Sequence, residues 1–154
     1  MNLKNQQLRL SEMLSSCAEY EHFIYTIIDA YPVVERSTLH FFTTSASAGL
    51  LKGTLWFNNG FELRVVEVID FAAGEILDYS YTVYKGGEKL RWYDPQPHPE
   101  DSTLAETYPH HLHELPDIKL NRKPALDISF DTPNLPTLIE QIAALSPPID
   151  EANH

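Results

Sequence analysis

Four of the seven histidines, His98, His110, His111 and His113, fall in one proline-rich stretch. His110 and His113 are three apart and His111 is two from His113, so in a loop their rings can converge on a metal ion or a phosphate. A zinc site takes three or four ligands, and Asp94 with His98 would complete such a set. The spacing matches no zinc motif, however, and a solvated, turn-forming loop is the plainer alternative.

Two further patterns bear on chemistry. In the apolar alternation Phe61, Leu63, Val65, Glu67, Ile69, one carboxylate interrupts a face that is otherwise hydrophobic. An inward Glu67 needs a partner or a raised pKa, which is the signature of a general base; an ion pair with Arg64 or Arg91, or an exposed edge position, is the alternative. In RWYDPQPHP, Arg91 and Tyr93 share one strand face while Trp92 packs on the other. With Asp94 and His98 following, guanidinium and phenol make a candidate phosphate or oxyanion pocket, to which Tyr79 and Tyr81 add from the preceding strand. Arg91 paired with Asp94 is the structural alternative. Lys119, Arg122 and Lys123 form a small positive island suited to a few phosphates or to balancing Asp117 and Asp127.

The chain has no glycine-rich phosphate loop, G-x-S-x-G, HExxH or Cys-x-x-Cys. Cys17, the single cysteine, excludes an internal disulfide and lies on an apolar helical stripe, which suits a core residue better than a nucleophile.

The elements that must hold these groups read as one α+β domain over residues 1–148, with a flexible tail at 149–154. Leu10, Met13, Leu14, Cys17, Tyr20, Ile24, Ile27, Ile28 and Tyr31 predict an N-terminal helix capped near Ser11-Glu12 and stopped by Pro32. From about Arg36 to Asp94, runs rich in Phe, Val, Thr, Tyr and Trp alternate with turns at Ser45–Gly49, Asn58-Asn59-Gly60, Ala73-Gly74 and Gly86-Gly87. They predict an antiparallel meander of about five strands. Pro95–Pro133 lacks period and reads as a long His/Pro-rich loop. A C-terminal helix starts at Asn134 or Leu135, with Pro136 in its first turn and Leu135, Leu138, Ile139, Ile142 and Leu145 on its apolar face.

A chain of 154 residues with 43% hydrophobic content can bury a core without a metal or disulfide scaffold. No stretch has the ~20 apolar residues of a membrane span, and the N-terminus lacks an apolar signal core, so a reducing cytoplasm is expected. The formal net charge of −11 opposes a broad electrostatic grip on nucleic acid; any RNA contact must be local, and a basic protein surface is the favoured partner.

The string YSYTVYKGGEKLRWYDPQPHP, followed by YPHHLH, PDIKLNR and FDTPNLPTLIEQI, resembles the TumE-like toxin family of toxin–antitoxin systems. The likeness runs from roughly Leu39 to Ile142 and matches Tyr81, Arg91, Tyr93, Asp94, His98, Pro109, His110, His111, His113, Arg122, Pro133 and Asn134, with Glu67 as the strand acid. Leu112 stands where the family usually has lysine. The resemblance implies a cytoplasmic toxin of a type II system, neutralised by a small helix-turn-helix antitoxin encoded beside it, and a candidate ribonuclease that uses neither metal nor cofactor. In such a reaction Glu67 or His113 is the base, His98 or His110 the acid and Arg91 the phosphate clamp, while Tyr93 orients the phosphate or stacks on a base. His111 and Asp94 complete the catalytic set; Tyr79, Tyr81, Lys119 and Arg122 bind substrate. A non-catalytic binding protein and a His/Asp metalloprotein are the rival classes. Helices covering one sheet face would leave the other for the antitoxin or for a second copy in a homodimer.

Overall fold

The computed structural model describes Leu10 and residues 12–145. The expected cap at Ser11 and the expected tail at 149–154 lie outside the described residues. Among the described residues, α1 (Cys17–Tyr25) and α2 (Ile27–Ala30) precede β1 (Val34–Ser37), β2 (His40–Thr43), β3 (Ala48–Phe57), β4 (Phe61–Asp70), β5 (Glu75–Lys85) and β6 (Glu88–Asp94). A 3₁₀ turn (Ser102–Thr107), β7 (His111–Glu114), β8 (Arg122–Pro124) and α3 (Leu135–Ala143) follow.

The expected α+β class with an antiparallel sheet holds, but the sheet has eight strands rather than about five. Its order is β1-β3-β4-β5-β6-β7-β8, and β2 also pairs with β3. One of the three added strands arises because β1 and β2 are halves of one bent edge strand running along β3. The chain crosses Gly53 at the bend. Gly53 has φ +147°, and a Cβ there would lie 2.5 Å from the Thr38 carbonyl oxygen and 2.6 Å from Leu39 Cα, so only glycine fits. The other two added strands, β7 and β8, come from Pro95–Pro133, which is therefore no simple loop. They are four and three residues long, too short to show a period, and they form by pairing onto the free edge of β6.

The β5–β6 hairpin turns on Gly86 and Gly87, both at positive φ, the backbone that a two-residue type I′ connection requires. The N-terminal stripe does not form one continuous helix. Ser16 caps α1 by accepting from the Glu19 amide at 3.2 Å, and Thr26, whose hydroxyl donates to the His22 carbonyl at 2.7 Å, separates α1 from α2. Cys17 is half-buried against the core.

Both helical regions pack on one face. Phe61, Leu63, Val65 and Ile69 of β4 meet Tyr20 and Ile24 of α1 and Leu135, Leu138, Ile139 and Ile142 of α3 in a single core. The alternate positions, including Arg64, Val66, Thr82, Tyr84 and Trp92, are half-buried or exposed on the outer face. At the β6–β8 end that outer face is less open: Asp94, His111 and His113 are buried.

Candidate functional site

On the inner face, Glu67 is fully buried. The hydroxyls of Tyr20 and Tyr81 each donate to one of its carboxylate oxygens, Tyr81 at 2.5 Å. Asn134, at the start of α3, donates to the Tyr81 hydroxyl at 3.1 Å and accepts from the Ser129 amide at 3.0 Å. Burial pushes the Glu67 carboxyl up, against the opposing pull of the two phenols, and burial together with the carboxylate pushes both phenols well up. The expected ion pair with Arg64 or Arg91 is absent. Arg64 lies on the opposite face over Tyr84, and Glu67 occupies a central strand, not an exposed edge.

Beside this knot, Tyr79 stacks between Tyr81 and His110, with its hydroxyl 2.5 Å from His110 Nδ1. Burial raises the Tyr79 phenol and lowers the His110 imidazole. Arg91 bonds Glu114 at 3.0 Å, in place of the expected Asp94, and donates to the Tyr93 hydroxyl at 3.2 Å. Tyr93 in turn donates to Gln141 of α3 at 2.8 Å. These contacts fasten the helices and the β7 edge to the sheet.

The second cluster is on the other face. Strand register sets Trp92 opposite His113, Asp94 opposite His111 and His113 opposite Arg122. Side chains directly opposite share a face, so β6 holds Trp92 and Asp94 towards the imidazoles and turns Arg91 and Tyr93 away. The expected meeting of guanidinium and phenol with the imidazoles therefore does not occur. His111 Nε2 and His113 Nε2 are 3.1 Å apart, and each lies 3.2 Å from one oxygen of Asp94. His98 brings its ring edge-on to His111, centroids 4.9 Å apart, while its Nδ1 faces Glu100 at 3.4 Å. The Arg122 Nε is buried without a hydrogen-bond partner.

Of the residues singled out from sequence, the fold thus gathers Asp94, His98, His111, His113 and Arg122 on the outer face. It holds Glu67, Tyr79, Tyr81, Arg91, Tyr93 and His110 elsewhere, and Lys119 is exposed in the β7–β8 turn. Sequence reasoning missed a set of cation–aromatic pairs on the same outer face. Arg36 lies 4.0 Å over Trp56, Arg64 3.9 Å over Tyr84 and Lys89 5.4 Å from the Trp92 ring. Trp92 also stacks on His113 at 4.8 Å and donates from Nε1 to Ser80 at 3.1 Å. Counting back from each hairpin turn in steps of two was the signal that placed these side chains together.

The family model described as Toxin TumE matches residues 24–145 of the 154-residue chain. The chain belongs to the TumE toxin family. No similar curated protein and no similar solved structure was found. Membership of the TumE family carries a toxin role and, in general, a cognate antitoxin. The matched span includes every strand from β1 to β8 and both clusters apart from Tyr20. Among the described residues, no helix of this TumE-family chain is long and apolar enough to cross a membrane.

Proposed function

We propose that this TumE-family toxin cleaves RNA, with a single strand lying across the outer face of the sheet and the reacting phosphate at Asp94, His111 and His113. The observation that carries the reading is the row formed by strand register across six strands: Thr54, Arg64, Thr82, Trp92, His113 and Arg122. Half-buried Trp56, Tyr84 and Trp92 line this face, where unpaired bases can stack beside them, and the guanidinium and ammonium groups held over them face phosphates. The row passes through His113 of the buried imidazole pair and ends at Arg122. A chain of net charge −11 has no general affinity for nucleic acid, so a local row of this kind is the form a grip must take.

Cleavage needs a base for the ribose 2′-hydroxyl. The 2′-oxygen bonds phosphorus, the bond from phosphorus to the 5′-oxygen breaks, the centre receives the hydroxyl proton and the leaving oxygen takes one up. The products are a 2′,3′-cyclic phosphate and a free 5′-hydroxyl. Arg122, across the strand from His113, offsets the charge of the phosphorane. In this reading Glu67, Tyr79, Tyr81, Arg91, Tyr93 and His110 are structural. The partner is a small helix-turn-helix antitoxin encoded beside the toxin in a type II system, and both act in the cytoplasm.

The test is expression in a bacterium together with cleavage of single-stranded RNA by the purified protein. Growth arrest and cyclic-phosphate ends in wild type, both lost in folded Asp94→Ala and His113→Ala, support the reading. Arrest that persists undiminished in those variants, or an absence of RNA cleavage by a toxic wild type, overturns it.

A further inference from the structure

Two imidazole nitrogens and both oxygens of one carboxylate meet at the outer-face centre in a way that hydrogen bonds between neutral rings and an ionised carboxylate do not satisfy. His111 Nδ1 lies 3.1 Å from the Pro109 carbonyl oxygen. A carbonyl only accepts, so Nδ1 carries the hydrogen, and Nε2 of the neutral ring presents a lone pair. That lone pair faces an oxygen of Asp94 at 3.2 Å and the Nε2 of His113 at 3.1 Å. A carboxylate also only accepts. With both rings neutral and the carboxyl ionised, the single hydrogen that His113 Nε2 can bring reaches Asp94 or His111 but not both, and it leaves His111 Nε2 and Asp94 Oδ1 opposed as two acceptors. All of this is buried: His111 is 1% exposed, His113 5% and Asp94 8%. Buried acceptors turned towards one another call for a positive charge between them, which an added proton or a metal ion supplies.

We propose that Asp94, His111 and His113 bind a divalent first-row transition metal ion. Donors in a tetrahedral site with bonds of 2.0–2.1 Å are separated by about 3.3 Å; the two imidazole nitrogens are 3.1 Å apart, and each has a different Asp94 oxygen at 3.2 Å. Two imidazoles and one carboxylate suit zinc, iron(II) or manganese(II) over calcium or magnesium, which prefer oxygen. The contact from His111 Nδ1 to the Pro109 carbonyl is the outer-shell bond that orients a ligating imidazole. His113 Nδ1 is buried towards the Ile118 backbone without a hydrogen bond of good geometry. Three protein donors leave a further position for water or substrate, as catalytic sites do and closed structural sites do not. His98 stands edge-on to His111, with ring centroids 4.9 Å apart.

The metal inference stands on the donor geometry; its place in catalysis rests on the RNA-cleavage reading. Water on such an ion ionises near neutral pH, and its hydroxide can take the 2′-hydroxyl proton.

The experiment uses full-length protein purified without an affinity tag, stripped with chelator and titrated with Zn²⁺ by calorimetry and with Co²⁺ by visible absorption. One equivalent should bind, with the cobalt band of an imidazole-ligated site and a raised Tm. Asp94→Asn and His113→Gln should each weaken binding at least tenfold, judged on variants whose circular dichroism is native, and His40→Ala should leave binding unchanged. Folded wild type that takes up no stoichiometric metal at millimolar concentration overturns the inference, as does binding unaltered in both variants. RNA cleavage undiminished in excess chelator overturns the metal's catalytic place while sparing the RNA-cleavage reading. Stoichiometric metal in a protein that cuts no RNA supports the site and overturns only that reading.

Discussion

Replacing Glu67 separates the cost of its charge from the value of its hydrogen bonds. The carboxylate is fully buried, accepts from the hydroxyls of Tyr20 and Tyr81, and has its pKa raised chiefly by burial. A carboxyl whose folded pKa exceeds its unfolded value near 4.5 binds its proton more tightly in the folded state. It contributes its full stability below the unfolded pKa, and that contribution is lost as pH rises through the folded pKa. Within that window each pH unit costs about 1.4 kcal/mol. Glu67→Gln removes the charge and keeps an acceptor, with the side-chain amide donating to the other phenol. It should therefore flatten this fall and match or exceed wild-type stability at neutral pH. Glu67→Ala instead leaves two buried hydroxyls without their acceptor, at about 1–3 kcal/mol each. The sum, about 4 kcal/mol, lowers Tm by about 8–16 °C at the 2–4 °C per kcal/mol typical of this size. Thermal and urea melts of the three proteins from pH 4 to 8 check this, with the difference between wild type and Glu67→Gln isolating the one carboxyl. The reasoning fails if wild type and Glu67→Gln run parallel across that range, or if Glu67→Ala melts with wild type. Growth arrest should survive Glu67→Gln, since the side chain faces the helices and not the imidazoles.

Other outcomes follow from the same two faces. Trp92→Ala, on the outer face, should weaken single-stranded RNA binding by about 1–3 kcal/mol, roughly 5- to 150-fold per folded molecule, and lower Tm through the lost stacking on His113 and bond to Ser80; fluorescence anisotropy with a labelled oligonucleotide reads the binding. Arg91→Ala loses the pair with Glu114 and the bond to Tyr93, so denaturant melts should show a loss of about 1–2 kcal/mol while growth arrest is retained. Arrest abolished in a folded Arg91→Ala protein would return the guanidinium to the reacting phosphate. Gly53→Ala forces a Cβ into the Thr38–Leu39 backbone and should cost at least about 2 kcal/mol, read as a lower Tm without a change in RNA affinity per folded molecule.

Much of the frame was legible from local chemistry. Gly86-Gly87 required a tight hairpin, Pro136 marked the first turn of α3, and alternation from Phe61 to Ile69 set Glu67 on an otherwise apolar face while leaving an ion pair or an exposed edge open, because each of these depends on neighbouring backbone alone. The same alternation set Arg91 and Tyr93 against Trp92. It carried no information about which face His111 and His113 would join. That face depends on where β7 lands along β6, and a strand of four residues between prolines has too few side chains to declare a register. The identity of the partners of Glu67 was equally hidden, since Tyr20, Tyr81 and Asn134 are brought together only when α1 and α3 close over the sheet. Residue types and periods thus determined the central strands from β3 to β6, the C-terminal helix and the family resemblance. Packing decided which histidines share a carboxylate, because that contact is set by strand pairing across segments with no local pattern of their own.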